Sequence, residues 1–267
     1  VHMAFIQKLA QAIESEFPKE RADSSWDNTG ILLEFDNTKE NALLCIDLTK
    51  SVLEEAIEKG VQTILAYHPP IFTPLKQINQ ESPILYTCIN KRISIYSPHT
   101  ALDGGLNGIN HWLSTLIPET EHINTFGYVQ TYKNKVPIND ILKSLTTSLG
   151  IRTVRYVLGD THTLSTVPVS VSIGAGASSR ILKKYITSEQ SIRSTSNSPS
   201  LIITGESSHH DLLYFQRMNA SVIILEHSRS ERGFLPTLYA HIKELLPSAD
   251  IYISQEDKDP VEFYTQE

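Results

Sequence analysis

Ile223-Ile224-Leu225-Glu226-His227-Ser228-Arg229-Ser230-Glu231-Arg232 is an apolar run that breaks abruptly into charge. Residues 222–225 read as a central strand and a helical pattern over 234–246 follows directly, which places His227 and Glu231 at a strand's carboxyl end. In an open α/β sheet that edge is concave and lined with free backbone groups, so ligands bind there. An imidazole and a carboxylate four residues apart can reach one cation. A solvated charged loop is the plainer reading of the same residues, and the other strand ends of the chain weigh between the two.

Size and composition narrow the classes. A chain of 267 residues with 40% hydrophobic and 20% charged residues is ordinary for a globular protein of one large or two small domains. At that length about three quarters of the unfolded surface is buried on folding. A net charge of −7 argues against a nucleic-acid binder, which needs a basic face against phosphates. Cys45 and Cys88 are too few for a disulfide framework and read as reduced core residues. No apolar stretch approaches the roughly 20 residues of a membrane span, and no signal-peptide core is visible, so a soluble cytoplasmic protein is expected, with nucleus or mitochondrion as alternatives.

Working along the chain, a helix over 4–16 is closed by Pro18. Trp26-Asp27-Asn28-Thr29-Gly30 reads as a loop pinned by an aromatic residue. A strand over 42–49, a helix over 52–58 capped by Ser51, and a strand over 61–67 make a βαβ unit with a right-handed crossover into a parallel sheet. That strand stops at His68-Pro69-Pro70, where the prolines hold His68 extended and break the ladder. The next strand, 93–97, runs into Pro98-His99-Thr100-Ala101-Leu102-Asp103-Gly104-Gly105, where Asp103 is either a helix cap or a ligand.

Signals weaken between 118 and 168, with one helical stretch from 138 and one strand over 153–158. A strand over 167–173 leads to Gly174-Ala175-Gly176 and a helix over 180–186. This turn lacks the third glycine and the acidic residue of a dinucleotide fingerprint, so close packing is favoured over phosphate binding. Residues 188–200 read as a serine-rich exposed loop. The strand over 201–204 ends in Gly205-Glu206-Ser207-Ser208-His209-His210-Asp211, where the histidines read equally as caps or ligands, and a last strand covers 251–254. The expected organisation is a first α/β lobe over 1–118, a connector over 119–165 and a second lobe over 166–267.

Five motifs in order then carry a resemblance across nearly the whole chain: Trp26-Asp27-Asn28-x-Gly30, Tyr67-His68-Pro69-Pro70-Ile71-Phe72, Pro98-His99-Thr100-x-x-Asp103, Gly205-Glu206-x-Ser208-His209-His210-Asp211 and Glu226-His227-Ser228-x-x-Glu231-Arg232-Gly233-Phe234. Together they resemble the Ngg-interacting factor three family, whose bacterial members carry the label GTP cyclohydrolase I type 2. The wording of the second and fifth motifs is similar to the eukaryotic branch. The resemblance implies two intertwined three-layer α/β/α lobes with mostly parallel sheets, a toroidal homohexamer, and a centre of two divalent metal ions. It places the metal ligands on His68, Asp103, His227 and Glu231. A fifth ligand, a histidine in the bacterial members, falls on Tyr67, and a phenol with an ordinary pKa near 10 ligates weakly unless a cation lowers it.

Such a carboxylate–imidazole set suits zinc, manganese or iron, and a metal pair there would support hydrolysis of a small-molecule substrate, of a nucleotide or a purine or pterin type. His99 or His209 would shuttle the proton. The competing expectation is a metal-binding regulatory or scaffold protein whose partner is a transcription coactivator.

Overall fold

The computed structural model describes residues 3–188, 200–264 and 266, so most of the serine-rich stretch lies outside the described residues. In chain order the elements are α1 (Phe5–Glu16), β1 (Gly30–Leu33), β2 (Asn41–Cys45), α2 (Lys50–Glu58), β3 (Thr63–Ala66), α3 (Pro83–Asn90), β4 (Ser94–Ser97), α4 (Thr100–Asp103) and α5 (Ile109–Thr115). They continue with β5 (Glu121–Phe126), β6 (Val129–Lys133), α6 (Ile138–Leu149), β7 (Arg155–Val157), β8 (Ser170–Gly174), α7 (Ser179–Thr187), β9 (Ser200–Thr204), α8 (His209–Arg217), β10 (Ala220–Ile224), α9 (Leu235–Leu245) and β11 (Asp250–Ile253).

Two compact units result, Val1–Ala101 with Phe234–Glu267, and Leu102–Gly233. The first holds a five-stranded sheet in the order β1-β4-β3-β2-β11, parallel except where β1 meets β4. Strands β2 and β3 are buried at every position, the mark of a sheet covered on both faces, and this explains why they read as unbroken apolar runs. Leu43, Val52, Ala56, Ile64, Cys88 and Ile95 belong to one core cluster, and both cysteines are buried thiols, as expected.

The second unit holds a six-stranded sheet in the order β5-β6-β8-β9-β10-β7, with β8, β9 and β10 parallel at its centre. Val129, Leu182, Ile202, Phe215, Val222 and Ile224 form a core cluster here. No helix among the described residues is long and apolar enough to cross a membrane.

Several details differ from the sequence reading. Residues 119–165, expected as a connector, supply β5, β6, α6 and β7 of the second unit. The last 34 residues return to the first unit because β11 pairs in parallel with β2, register Ile251 to Ala42. The cap of α2 is Thr49 rather than Ser51: Thr49 is extended, and its hydroxyl accepts from the Val52 N–H. The strand ends carrying His68 and Asp103 belong to the first sheet and that carrying His227 to the second, because the β5–β6 hairpin starts a new sheet.

Candidate metal centre

In the second unit three parallel strands, β8, β9 and β10, deliver their carboxyl ends side by side, and the turns that follow them are knitted together. The Leu225 N–H donates to the Thr204 carbonyl, extending the ladder by a residue. Glu226 then takes a positive φ of 73°, and Arg155 on the edge strand β7 clamps its carboxylate with two hydrogen bonds of 2.6 and 3.0 Å. A left-handed turn is rare for a residue with a side chain, and here it bends the chain into the short helical turn Ser228–Ser230. His227 and Glu231 flank that turn. Nε2 of His227 lies 3.3 Å from Glu231 Oε1, and its Nδ1 lies 3.3 Å from Glu206 Oε1 on the neighbouring turn.

Gly176 makes this approach possible. It has φ +61°, and a Cβ built on it would come 2.5 Å from Glu231 Oε1 and 3.2 Å from His227 Nε2. Its N–H donates to Ser230 Oγ, whose hydroxyl donates to the His227 carbonyl. Its own carbonyl accepts from the Gly205 and Glu206 N–H groups and from the Thr204 hydroxyl. The glycine-rich turn is therefore a packing device, as its spacing suggested, and what it packs against is the donor atoms of the pair. Glu231 is 2% exposed. A carboxylate that deep needs hydrogen bonds and positive charge around it, which a protonated imidazole or a metal cation supplies. The bare Cα of Gly176, facing one carboxylate oxygen and one imidazole nitrogen, is a cradle that fits a cation with nitrogen and oxygen ligands. Asp103, also buried, ends α4, and the next helix, α5, takes Gly108 as its cap, so Asp103 is not a helix cap. His209 opens α8, where the cap is Ser208, accepting from the Asp211 N–H; the His209 ring meets that of His210.

In the first unit, His68 follows β3. The Tyr67 and His68 N–H groups donate to the Cys45 and Ile46 carbonyls, so the ladder runs on until Pro69, which has no N–H to give. Nδ1 of His68 bonds Asp47 at 2.8 Å. With that nitrogen donating to a carboxylate, Nε2 is left with the lone pair, the arrangement usual for a metal-bound imidazole. Tyr67 is buried, and its carbonyl accepts from the Ser97 hydroxyl. His99 sits in a left-handed turn at φ 35°, with Nδ1 2.5 Å from Asp27. The Asp27 side chain is wholly buried, and it also accepts from the backbone N–H and hydroxyl of Thr100. Burial pushes its carboxyl up, but the hydrogen bond and charge of His99 and the two Thr100 donors outweigh that and hold it below the ordinary range. The ring centroids of His68 and His99 are 5.5 Å apart.

Sequence reasoning missed Asp27 as more than a corner, and missed Asp47, Glu206 and Gly176 as partners of site residues. Asp47 had a visible signal, since it too follows a strand.

Residues 4–260 match the model of the family described as Duf34/NIF3 (NGG1p interacting factor 3). The chain belongs to the NIF3 family. Among its relatives are NIF3-like protein 1 of Drosophila melanogaster, 34% identical over 96% of this chain and 89% of that one, and NGG1-interacting factor 3 of Saccharomyces cerevisiae, 30% identical over 97% and 96%. Solved NIF3-like folds agree with the architecture: a hypothetical protein of Staphylococcus aureus superposes with a TM-score of 0.77 at 22% identity, covering 97% of this chain and 99% of that one. Reduced HcgD from Methanocaldococcus jannaschii superposes with a TM-score of 0.72 at 19% identity, covering 96% and 99%.

Proposed function

We propose that the chain is a metal-dependent hydrolase in which His68, Asp103, His227 and Glu231 hold two divalent cations, zinc, manganese or iron, with Tyr67 at the position of a fifth ligand. The observation that carries this reading is the His227–Glu231 pair closed against the bare Cα of Gly176. His68, with Nδ1 engaged by Asp47, adds a second imidazole to the proposed set. A cation bound there lowers the pKa of a coordinated water and polarises an electrophile such as a phosphate or an imine-like carbon.

The chain's own groups do the rest. Asp47 lies against Nδ1 of His68 and Glu206 against Nδ1 of His227, which leaves Nε2 of each for a cation, and Gly176 leaves room beside the His227–Glu231 pair. His99, whose Nδ1 is held by Asp27, has Nε2 left to take or return the proton of the reaction, with His209 as the second candidate for that role. The substrate is a small molecule of nucleotide, purine or pterin type. The assembly is a toroidal homohexamer, and its place is the cytoplasm. The test is metal content and hydrolysis together: the metal-loaded chain is screened against nucleotides, cyclic phosphodiesters and pterin precursors, and turnover that disappears in folded Glu231→Ala supports the reading. Turnover that survives loss of the metal sinks it.

A second reading has its own support, the name of the yeast relative as an NGG1-interacting factor. Here the chain is a metal-binding partner of a transcription coactivator and turns over nothing. Coactivator binding that depends on bound metal, with no hydrolysis in the same screen, distinguishes it.

A further inference from the structure

Within the first unit two large aromatic side chains stand at the surface beside His99 and the His68 turn. Trp26 is 37% exposed and Phe72 50% exposed, and their ring centroids lie 6.1 Å apart at an interplanar angle of 49°, so they form an open wedge rather than a stack. The Trp26 ring also meets His99 edge-on at 5.7 Å. Neither aromatic is held by its own burial. The residue after Trp26 is Asp27, whose buried carboxylate is tied to His99 and Thr100, and Asn28 Nδ2 donates to the carbonyl of Ile71 at 2.5 Å, next to Phe72. The backbone carrying each ring is thus anchored on a neighbouring residue while the ring stays open. Holding such rings part-open to water on an anchored backbone is the preorganisation that a stacking site for a ligand requires.

We infer that Trp26 and Phe72 form a stacking platform that takes the face of a planar aromatic heterocycle of nucleobase or pteridine size. This rests on the reading of His68 as a metal ligand for what happens to the ring's substituents, and it deepens that reading by naming the residues that hold the ring of the proposed substrate. Two features favour such an occupant. The wedge offers π faces and apolar edges, while the carboxylate of Asp27, next to Trp26 in the chain, is already engaged by His99 and Thr100. Two part-exposed rings also present far less than the several hundred Å² of a typical protein-docking patch. Leu75 and Ile78 are exposed farther along the Phe72 segment, which makes a second copy of the chain the competing occupant.

The test titrates the full-length protein with guanosine, adenosine and, as a ring-free control, ribose 5-phosphate, followed by tryptophan fluorescence and calorimetry. Both nucleosides are expected to quench saturably and ribose 5-phosphate to leave the signal unchanged. Trp26→Leu and Phe72→Ala, at positions exposed enough for the fold to tolerate, each weaken nucleoside binding by about 5- to 150-fold. Absence of saturable nucleoside binding overturns the inference. So does a Phe72→Ala variant that binds nucleosides normally but shows a smaller oligomer by light scattering, because the surface is then an interface between copies. Glu231→Ala separates the two readings. Nucleoside binding retained alongside an undiminished metal content sinks the metal-site reading alone, and metal lost as expected with no nucleoside binding in the parent protein sinks the platform alone.

Discussion

The α-carbon of Gly176 faces the Glu231 carboxylate so closely that a methyl group there would lie 2.5 Å from Oε1. Two constraints meet at this residue, its left-handed φ of 61° and the donor atoms in front of it. Gly176→Ala should therefore lose about 1–3 kcal/mol of stability from backbone strain and push Glu231 away from His227. Denaturant midpoint and metal per chain, measured on the same sample, check it. An alanine variant with the parent's stability and metal content would show that the turn relaxes and that Gly176 cradles nothing.

Asp27 and His99 are 72 residues apart in sequence and joined by a short hydrogen bond. The carboxyl of Asp27 is held below its usual value of 3.8, through His99 and Thr100 acting against burial. A depressed carboxylate contributes stability that is fully present above the unfolded value and lost as pH falls through the folded one. The parent protein should accordingly lose stability on acidification below about pH 4, and Asp27→Asn should remove part of that loss while costing about 1–3 kcal/mol at neutral pH for the broken buried network. Urea midpoints from pH 3 to 7 for both proteins give the answer, and parallel curves would exclude the assignment.

A second pH effect has the opposite chemistry. His162 is buried, and burial holds its imidazole below the ordinary value of 6.5; His111, half-buried beside Tyr132, is held down by partial burial and then by the charge of His122. Ser221 Oγ accepts from the Gly159 N–H and lies 2.7 Å from His162 Nδ1, a hydrogen bond that a neutral imidazole can make. The unfolded chain binds these protons first, so stability is present above pH 6.5 and falls as pH drops below it toward the depressed folded values. His162→Gln should flatten the thermal midpoint between about pH 7 and 5. An unchanged slope would mean that His162 is charged in the folded state or does not contribute.

These relationships show which parts of the molecule were legible in sequence. His227 and Glu231 were visible because one strand end and one turn carry both. The parallel strands were visible because burial on two faces leaves unbroken apolar runs such as 42–46. β5 was not, because it is an edge strand whose residues alternate between exposed and half-buried, so that Glu121-His122-Ile123-Asn124 carries little apolar signal. The Asp27–His99 pair is tertiary, and nothing local announces it; of the His68–Asp47 pair only the place of each residue after a strand was visible, not that they meet. The return of 234–267 to the first unit hangs on β11 pairing with β2, a choice made by the whole sheet rather than by either strand.

The last prediction concerns the proposed metal ligands as a set. His227 and Glu231 come from one turn, whereas His68 and Asp103 come from other strand ends, and residues that hold a common ion are coupled, so their substitutions should not add. His68→Ala, Asp103→Ala, His227→Ala and Glu231→Ala should each reduce metal per chain sharply, and the His227/Glu231 double substitution should go little further than either single change. Asp36→Ala, at a side chain 89% exposed, should leave metal content alone. Tyr67→His, which replaces a buried phenol with the imidazole of the bacterial pattern, should raise occupancy at the weaker of two positions. Elemental analysis and metal titration provide the counts, and circular dichroism shows that each variant is folded. Two equal and full occupancies in the parent chain would mean that Tyr67, or a group standing in for it, ligates as well as histidine. Folded single variants that all keep their full metal would remove these residues as ligands, and the hydrolytic reading would fall with them.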